Sequence, residues 1–449
     1  MEGRTRPEDL AVDVEAAPKI SLDDKGSVAD SYDDDSERNG NLGTATSHII
    51  TAIIGAGVLG LPQTLAWLGW VAGPILITAF YLVTVLTSTL LAHVYEVNGV
   101  RHRRYKDAVK AIVGRKGEIT LAVFQYINLV LAGIAYTIAA GQSARAIMDA
   151  YRCQDGECTN KLWWLLLGFG VLQLFFSQMP NLDSAWWSSA IGAAMSVGYS
   201  VLAFGMCVSK AHNLHGTVGG ISSAGTADKV FGIFNALGTV AFAYNFSTVL
   251  LEIQASRWVS DTLRQPPKAK KTMVKAINIS VGVSFLFYMG VAITGYMAYG
   301  NAVPDQILTA RGLGPKWAIT WANVMVFTQP VFATCEPLLR RLFPSIIGRL
   351  RPRLFSIVFR SLYVAVITFI SILLPFFGSI IGLIGALVFW PAAVFFPILM
   401  YTTVYPKLTR GKKTTLTTIN VIMLVIAVIA VVGSVRNIAQ NSKHYKLFS

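Results

Sequence analysis

Apolar stretches of about 20 residues recur through this chain with short polar loops between them, the length a helix needs to cross the ~30 Å hydrocarbon core of a bilayer. The stretches fall near 47–69, 71–97, 119–150, 162–179, 186–208, 231–254, 277–299, 316–338, 357–376, 380–404 and 415–435. In lipid the backbone must satisfy its own polar groups, which leaves helices and closed barrels. Runs this long predict an all-α membrane protein of about eleven spans, with the lipid bilayer as its first partner. Composition agrees: 14% of the 449 residues are charged, against about 25% in soluble domains. No catalytic constellation or phosphate-cradling G-x4-GK[ST] loop is visible, so neither an enzyme nor an ATP-driven pump is expected. No cofactor and no metal site are expected either.

Charge is unevenly placed. Residues 1–47 hold 12 acidic and 5 basic side chains, a net −7 against +21 for the remainder. Residues 1–43 read as a disordered, acidic, cytosolic tail, polar and poor in aromatics. The basic excess does not point to nucleic acid, because it falls in every second loop between apolar spans. Arg101, Arg103, Arg104 and Lys106 follow the second span; Lys268, Lys270 and Lys271 follow the sixth; Arg349, Arg351 and Arg353 follow the eighth. The positive-inside rule then puts the N-terminus and residues 98–117 and 255–276 in the cytosol and 151–161 outside. Cys153 and Cys158 flank QDGE in that outer loop. A C-x4-C pair can hold a metal, but no histidine accompanies it, and on an oxidising side a disulfide is the better reading.

The first span is interrupted. Gly55, Ala56 and Gly57 stand together between HIITAII and VLGLP, and a helix-interior glycine costs roughly 1 kcal/mol against alanine. Two readings stand: a packing glycine in an ordinary span, or a broken helix whose freed backbone groups line a site. Five spans later FNALGTVAFAYNFSTVLLEIQ carries Gly238, Tyr244, Asn245, Ser247 and Thr248 at membrane depth. Interruptions at matching places in two halves point to a transporter site. Because five is odd, the halves oppose one another: a first repeat at 44–208, an inverted second repeat at 231–404, and a peripheral helix at 414–436. The first two spans are joined so tightly, at Gly69–Gly73, that they form a hairpin. Gly69 lies outside the site on this reading, and alanine there is expected to be tolerated.

At these residues the chain resembles the plant-type amino acid permeases of the amino acid/auxin permease family. GAGVLGLP at 55–62 with LGW at 68–70 resembles the family's first span, GIAYTIAA at 133–140 its third, and ALGTVAFAYNFSTVLLEIQ at 236–254 its sixth, followed by the prolines at 266 and 267. GYMAYG at 295–300, QPVFATCE at 329–336 and PFFGSIIGLIGALVFWP at 375–391 are similar to later signatures. The resemblance covers residues 44–406. It implies a leucine-transporter-like fold with a 5+5 inverted repeat and proton-coupled symport of amino acids, here expected across the plasma membrane. Thr239 stands where the family often has an acidic residue, and 255–265 looks longer than usual. The first span is nearer the lysine/histidine-transporter branch, the sixth nearer the general amino acid permease branch. A nutrient-sensing receptor of the same fold and a sodium-coupled transporter are the alternatives.

An amino acid presents a carboxylate and an ammonium a few ångströms apart. Freed N–H groups at Gly55, Ala56 and Gly57 suit the carboxylate, with the positive end of the following half-helix behind them. Freed carbonyls near Ile53, Ile54, Phe242 and Ala243 suit the ammonium. Tyr136, in the third span, either offers its hydroxyl to the carboxylate or is a core aromatic. Asn128 lies two turns from Tyr136 on one face. Phe242, Tyr244, Phe246 and Asn323 are side-chain pocket candidates, beside Asn245. Ionisable groups at membrane depth are functional candidates; His48 and Glu252 are those for proton coupling. His48 also reads as an interfacial histidine bonded to backbone, although its ordinary pKa suits a relay.

Overall fold

The computed structural model describes residues 42–97, 100–102, 104–152, 161–178, 186–212, 215–221, 225–247, 250–251, 269–333 and 352–445. The acidic tail, Cys153, Cys158, Thr248, Glu252 and Glu336 lie outside these residues. The described chain is almost entirely helical. In order come α1 (Leu42–Ile53), a 3-10 turn (Ala56–Gly60), α2 (Leu61–His93), α3 (Tyr105–Val113), α4 (Arg115–Arg152), α5 (Leu162–Ser177), α6 (Trp186–Lys210) and α7 (Thr226–Ala243). Then follow α8 (Ala269–Tyr299), α9 (Lys316–Ala333), α10 (Pro352–Leu373), α11 (Phe377–Phe389), a π-helical segment (Trp390–Phe395), α12 (Phe396–Val404) and α13 (Arg410–His444). Six described helical stretches are long and apolar enough to cross a membrane, and Leu162–Ser177 and Ile357–Leu373 are shorter apolar helices.

Three local features depart from the expected string of plain spans. The loop after the second span folds. β1 (Glu96–Val97) pairs antiparallel with β2 (Val100–Arg101), and α3 follows. Tyr105, Ala108 and Val109 bury one face of α3 while Asp107 and Lys110 stay exposed, the three-and-four spacing of an amphipathic surface helix. The tenth span is not uniform either. Its π segment widens the helix, and the Tyr105 hydroxyl donates to the Ala392 carbonyl at 2.6 Å. The Trp390 indole N–H donates to Asn420 on α13 at 2.8 Å. Such π segments are rare and tend to mark functional places.

The hairpin connection is tighter than expected. Gly69 has φ +78, and a Cβ there would run into the Val218 carbonyl and lie 2.6 Å from the Gly220 nitrogen. Nearby, Ile221 N–H donates to the Ala66 carbonyl at 2.8 Å. Alanine at Gly69 is therefore strained in conformation and in space, which overturns the expectation that it is tolerated.

Packing holds the broken elements between continuous ones. α1 lies along α8, α2 along α8 and α7, α9 against α4 and α6, and α7 against α11 and α13. The α7–α11 seam is made of glycines. A Cβ at Gly238 would fall on Gly382, and one at Gly385 on the Gly238 carbonyl. Small residues let two backbones approach where lipid offers no hydrophobic drive between helices.

Candidate functional site: two helix breaks packed together

The first break follows Ile53. Gly55 is extended (φ −144, ψ −157), the 3-10 turn begins at Ala56, and Val58 N–H donates to the Gly55 carbonyl at 3.2 Å. The second break follows Ala243. Tyr244 caps α7, Asn245 N–H bonds back to the Phe242 carbonyl at 3.1 Å, and Phe246 N–H to the Tyr244 carbonyl at 3.0 Å. Helix resumes at Ser247. The chain ends both helices because glycines on one side and a Tyr-Asn pair on the other weaken i→i−4 continuation.

The two breaks meet. A Cβ on Gly57 would lie 2.8 Å from the Ala243 Cα, whereas one on Gly55 would meet nothing within 4 Å. Backbone therefore touches backbone at Gly57, and the open side lies at Gly55. Ile54, Ala56, Gly57, Ala243 and Tyr244 are buried, and Gly55, Phe242 and Asn245 partly so. One side chain that the sequence reading missed joins them. Tyr288 on α8, fully buried, donates its hydroxyl to the Ile53 carbonyl at 2.6 Å, and the Ala243 carbonyl lies 3.1 Å away. These are the last helical carbonyls before each break. The Tyr244 ring meets the Tyr288 ring edge-on at 5.4 Å, and its own hydroxyl is buried with no hydrogen-bond partner among the described residues. Tyr288 gave no signal in the sequence beyond being an aromatic in an apolar span.

Other expected residues fall as follows. Tyr136 on α4 is half-buried beside Gln329 of α9 and within electrostatic reach of Tyr199 on α6. Asn128 is bonded to the second break: Asn245 Nδ2 donates to its Oδ1 at 3.4 Å. Thr239 is buried, with its hydroxyl on the Asn235 carbonyl. His48 is exposed on α1, five residues before the break, and away from the tyrosines around it. Asn323 belongs elsewhere: its amide donates to the Leu308 carbonyl at 3.2 Å, in the loop between α8 and α9.

That loop packs against the starts of α2 and α11. Asp305 accepts from the Gln63 amide and from Gly378 N–H at 3.4 Å. Gln306 donates to Ser143 of α4 at 3.1 Å, and Lys210 of α6 to the Gly312 carbonyl at 2.6 Å. Burial raises the Asp305 carboxyl above its ordinary 3.8, and the Gln63 and Gly378 donors offset this only in part.

Solved structures carry the same architecture at low sequence identity. The structure titled as MhsT in complex with L-phenylalanine matches with a TM-score of 0.50 and 9% identity over 88% of this chain and 99% of that one. The manganese transporter of Eremococcus coleocola matches with a TM-score of 0.50 and 12% identity over 88% and 86%. An all-helical bundle of apolar spans with this likeness has the leucine-transporter-like fold. More narrowly, the chain belongs to the transmembrane amino acid transporter protein family, whose model matches residues 38–440. Among its relatives in Arabidopsis thaliana, amino acid permease 2 is 39% identical over 82% of each chain, and amino acid permease 3 is 36% identical over 87% of each. Lysine histidine transporter-like 1 is 33% identical over 82% of each.

Proposed function

We propose that this amino acid transporter is a proton-coupled symporter of the plasma membrane, built as a 5+5 inverted repeat. The repeats are 44–208 and 231–404, with 414–436 peripheral, and the N-terminus is cytosolic. The observation that carries the reading is the meeting of two helix breaks: the last carbonyls of both half-helices converge on one hydroxyl, and Gly57 packs on the Ala243 backbone, with freed N–H groups expected at Gly55, Ala56 and Gly57. A zwitterion suits that arrangement without any lysine or arginine: donors for the carboxylate, acceptors for the ammonium. The relatives named as amino acid permeases and the L-phenylalanine complex of MhsT support the substrate class. Ile54, Phe242, Ala243, Tyr244, Asn245 and Tyr136 would line the side-chain space. His48, exposed on α1, and Glu252 are the coupling candidates from the sequence.

The test is uptake of each labelled amino acid by reconstituted vesicles under an imposed pH or sodium gradient. Accumulation that follows the proton gradient is expected. Accumulation that follows sodium and ignores pH would replace the proton with a metal cation, and binding without accumulation would mean a receptor of the same fold.

A further inference from the structure

Two carbonyl oxygens face one proton in the middle of this protein. Ile53 closes α1 and Ala243 closes α7, and beyond each the chain stops following the α-helical path. Both oxygens turn to the single hydroxyl of Tyr288, which reaches Ile53 at 2.6 Å and Ala243 at 3.1 Å. A phenol donates one hydrogen bond, so only one of these buried acceptors is well served at a time. Tyr288 is held in place: its ring packs on Tyr244, and Ser280, two turns earlier on α8, donates to the Thr46 carbonyl of α1 at 3.0 Å. Gly57 packs directly on the Ala243 backbone, so the breaks close on each other while the tyrosine spans them.

We infer that the Tyr288 hydroxyl is a built-in stand-in for the substrate's ammonium group: it closes the two breaks when no amino acid is bound, and the substrate displaces it. The inference rests on the proposed amino acid site. An ammonium brings three donors to the same two oxygens and serves both, which gives the substrate its advantage over the phenol. When the amino acid leaves, the phenol returns, so the two carbonyls are never both left without a donor in the buried interior. Tyr288 is thus a positioning residue for the unloaded carrier. It is needed for the return half of the cycle, which exchange of one bound amino acid for another does not use.

The experiment compares net uptake with exchange. Vesicles containing the whole protein are supplied with a labelled mixture of the protein amino acids under an acid-outside gradient, either empty inside or preloaded with the unlabelled mixture. Tyr288→Phe should lower net uptake at least about tenfold, the scale of one lost buried hydrogen bond on a closing step, while exchange falls far less. Its half-saturation concentration should fall, because a competitor for the site is gone. A net-to-exchange ratio equal to the parent's, whether both rates drop or neither does, overturns the inference. A second reading does not depend on that variant. With 3-fluorotyrosine at position 288, the fluorine resonance of the purified protein should shift when the amino acid mixture saturates it, and an unmoved resonance overturns the inference. A parent that accumulates no amino acid would remove the proposed function itself; a transporting parent with an unchanged ratio in the variant removes only the role of Tyr288.

Discussion

Gly57 and Gly55 are two residues apart and do different work. A side chain at Gly57 must push on the Ala243 backbone, 2.8 Å from a Cβ, while one at Gly55 enters open space. Gly57→Val is therefore expected to abolish transport at normal surface abundance, and Gly57→Ala to impair it severely, since backbone on the far side cannot yield as a flexible side chain would. Gly205→Ala is the proper control, because a Cβ there meets nothing within 4 Å. Uptake normalised to surface protein checks all three; wild-type transport by Gly57→Val would move the site away from the first break. The glycines were legible in the sequence because their signal is local. Tyr288 was not, because its meaning comes from two carbonyls 235 and 45 residues away in the chain.

At the scale of elements, the loop between α8 and α9 packs on the start of α2, helix α3 follows its last residues in the chain, and each carries one decisive contact. The Asp305 carboxyl is raised by burial, so its folded form holds a proton more readily than the unfolded chain does. The sign follows: the contribution to stability is fully present below the ordinary value of 3.8 and is lost as pH rises through the raised value. Gln63 and the Gly378 N–H face this carboxyl, and Arg145, paired with Asp149 at 3.9 Å, and Tyr445 lie at the same end. The unfolding temperature of the purified protein should therefore lose one stabilising contribution as pH rises above the ordinary 3.8, and Asp305→Asn should remove that part of its pH dependence. Equal slopes in the two proteins would show that the carboxyl does not titrate there. On α3, Tyr105→Phe leaves the Ala392 carbonyl buried without its donor. A loss of about 1–3 kcal/mol is expected, read as a lowered unfolding temperature with span insertion unchanged. Neither contact was legible in the sequence. Gln63 and Asp305 are 242 residues apart, Tyr105 and Ala392 are 287 apart, and both loops read only as polar connections.

For the molecule as a whole, hydropathy carried most of what could be read in advance. The long apolar runs became helices, and both interruptions fell at Gly55–Gly57 and Tyr244–Asn245. The π segment stayed hidden because a widened turn leaves the apolar pattern of PFFGSIIGLIGALVFWP unbroken, and the Gly69 turn because its partners at Val218 and Gly220 lie far along the chain. The orientation gives a direct check. On the proposed orientation, which puts residues 151–161 outside, Cys153 and Cys158 should be joined, and the non-reduced protein purified from the cell surface should show neither as a free thiol. Reaction of both with a thiol reagent would argue against the outward placement of that loop. The glycine seam between α7 and α11 has a mechanical consequence. Two backbones that close leave no layer of side chains to slide or shear, so the seam is a weld. In a transport cycle that rocks the spans, the first half of the sixth span and the tenth span are therefore expected to travel together, with Tyr244–Phe246, beyond the end of α7, as the expected pivot.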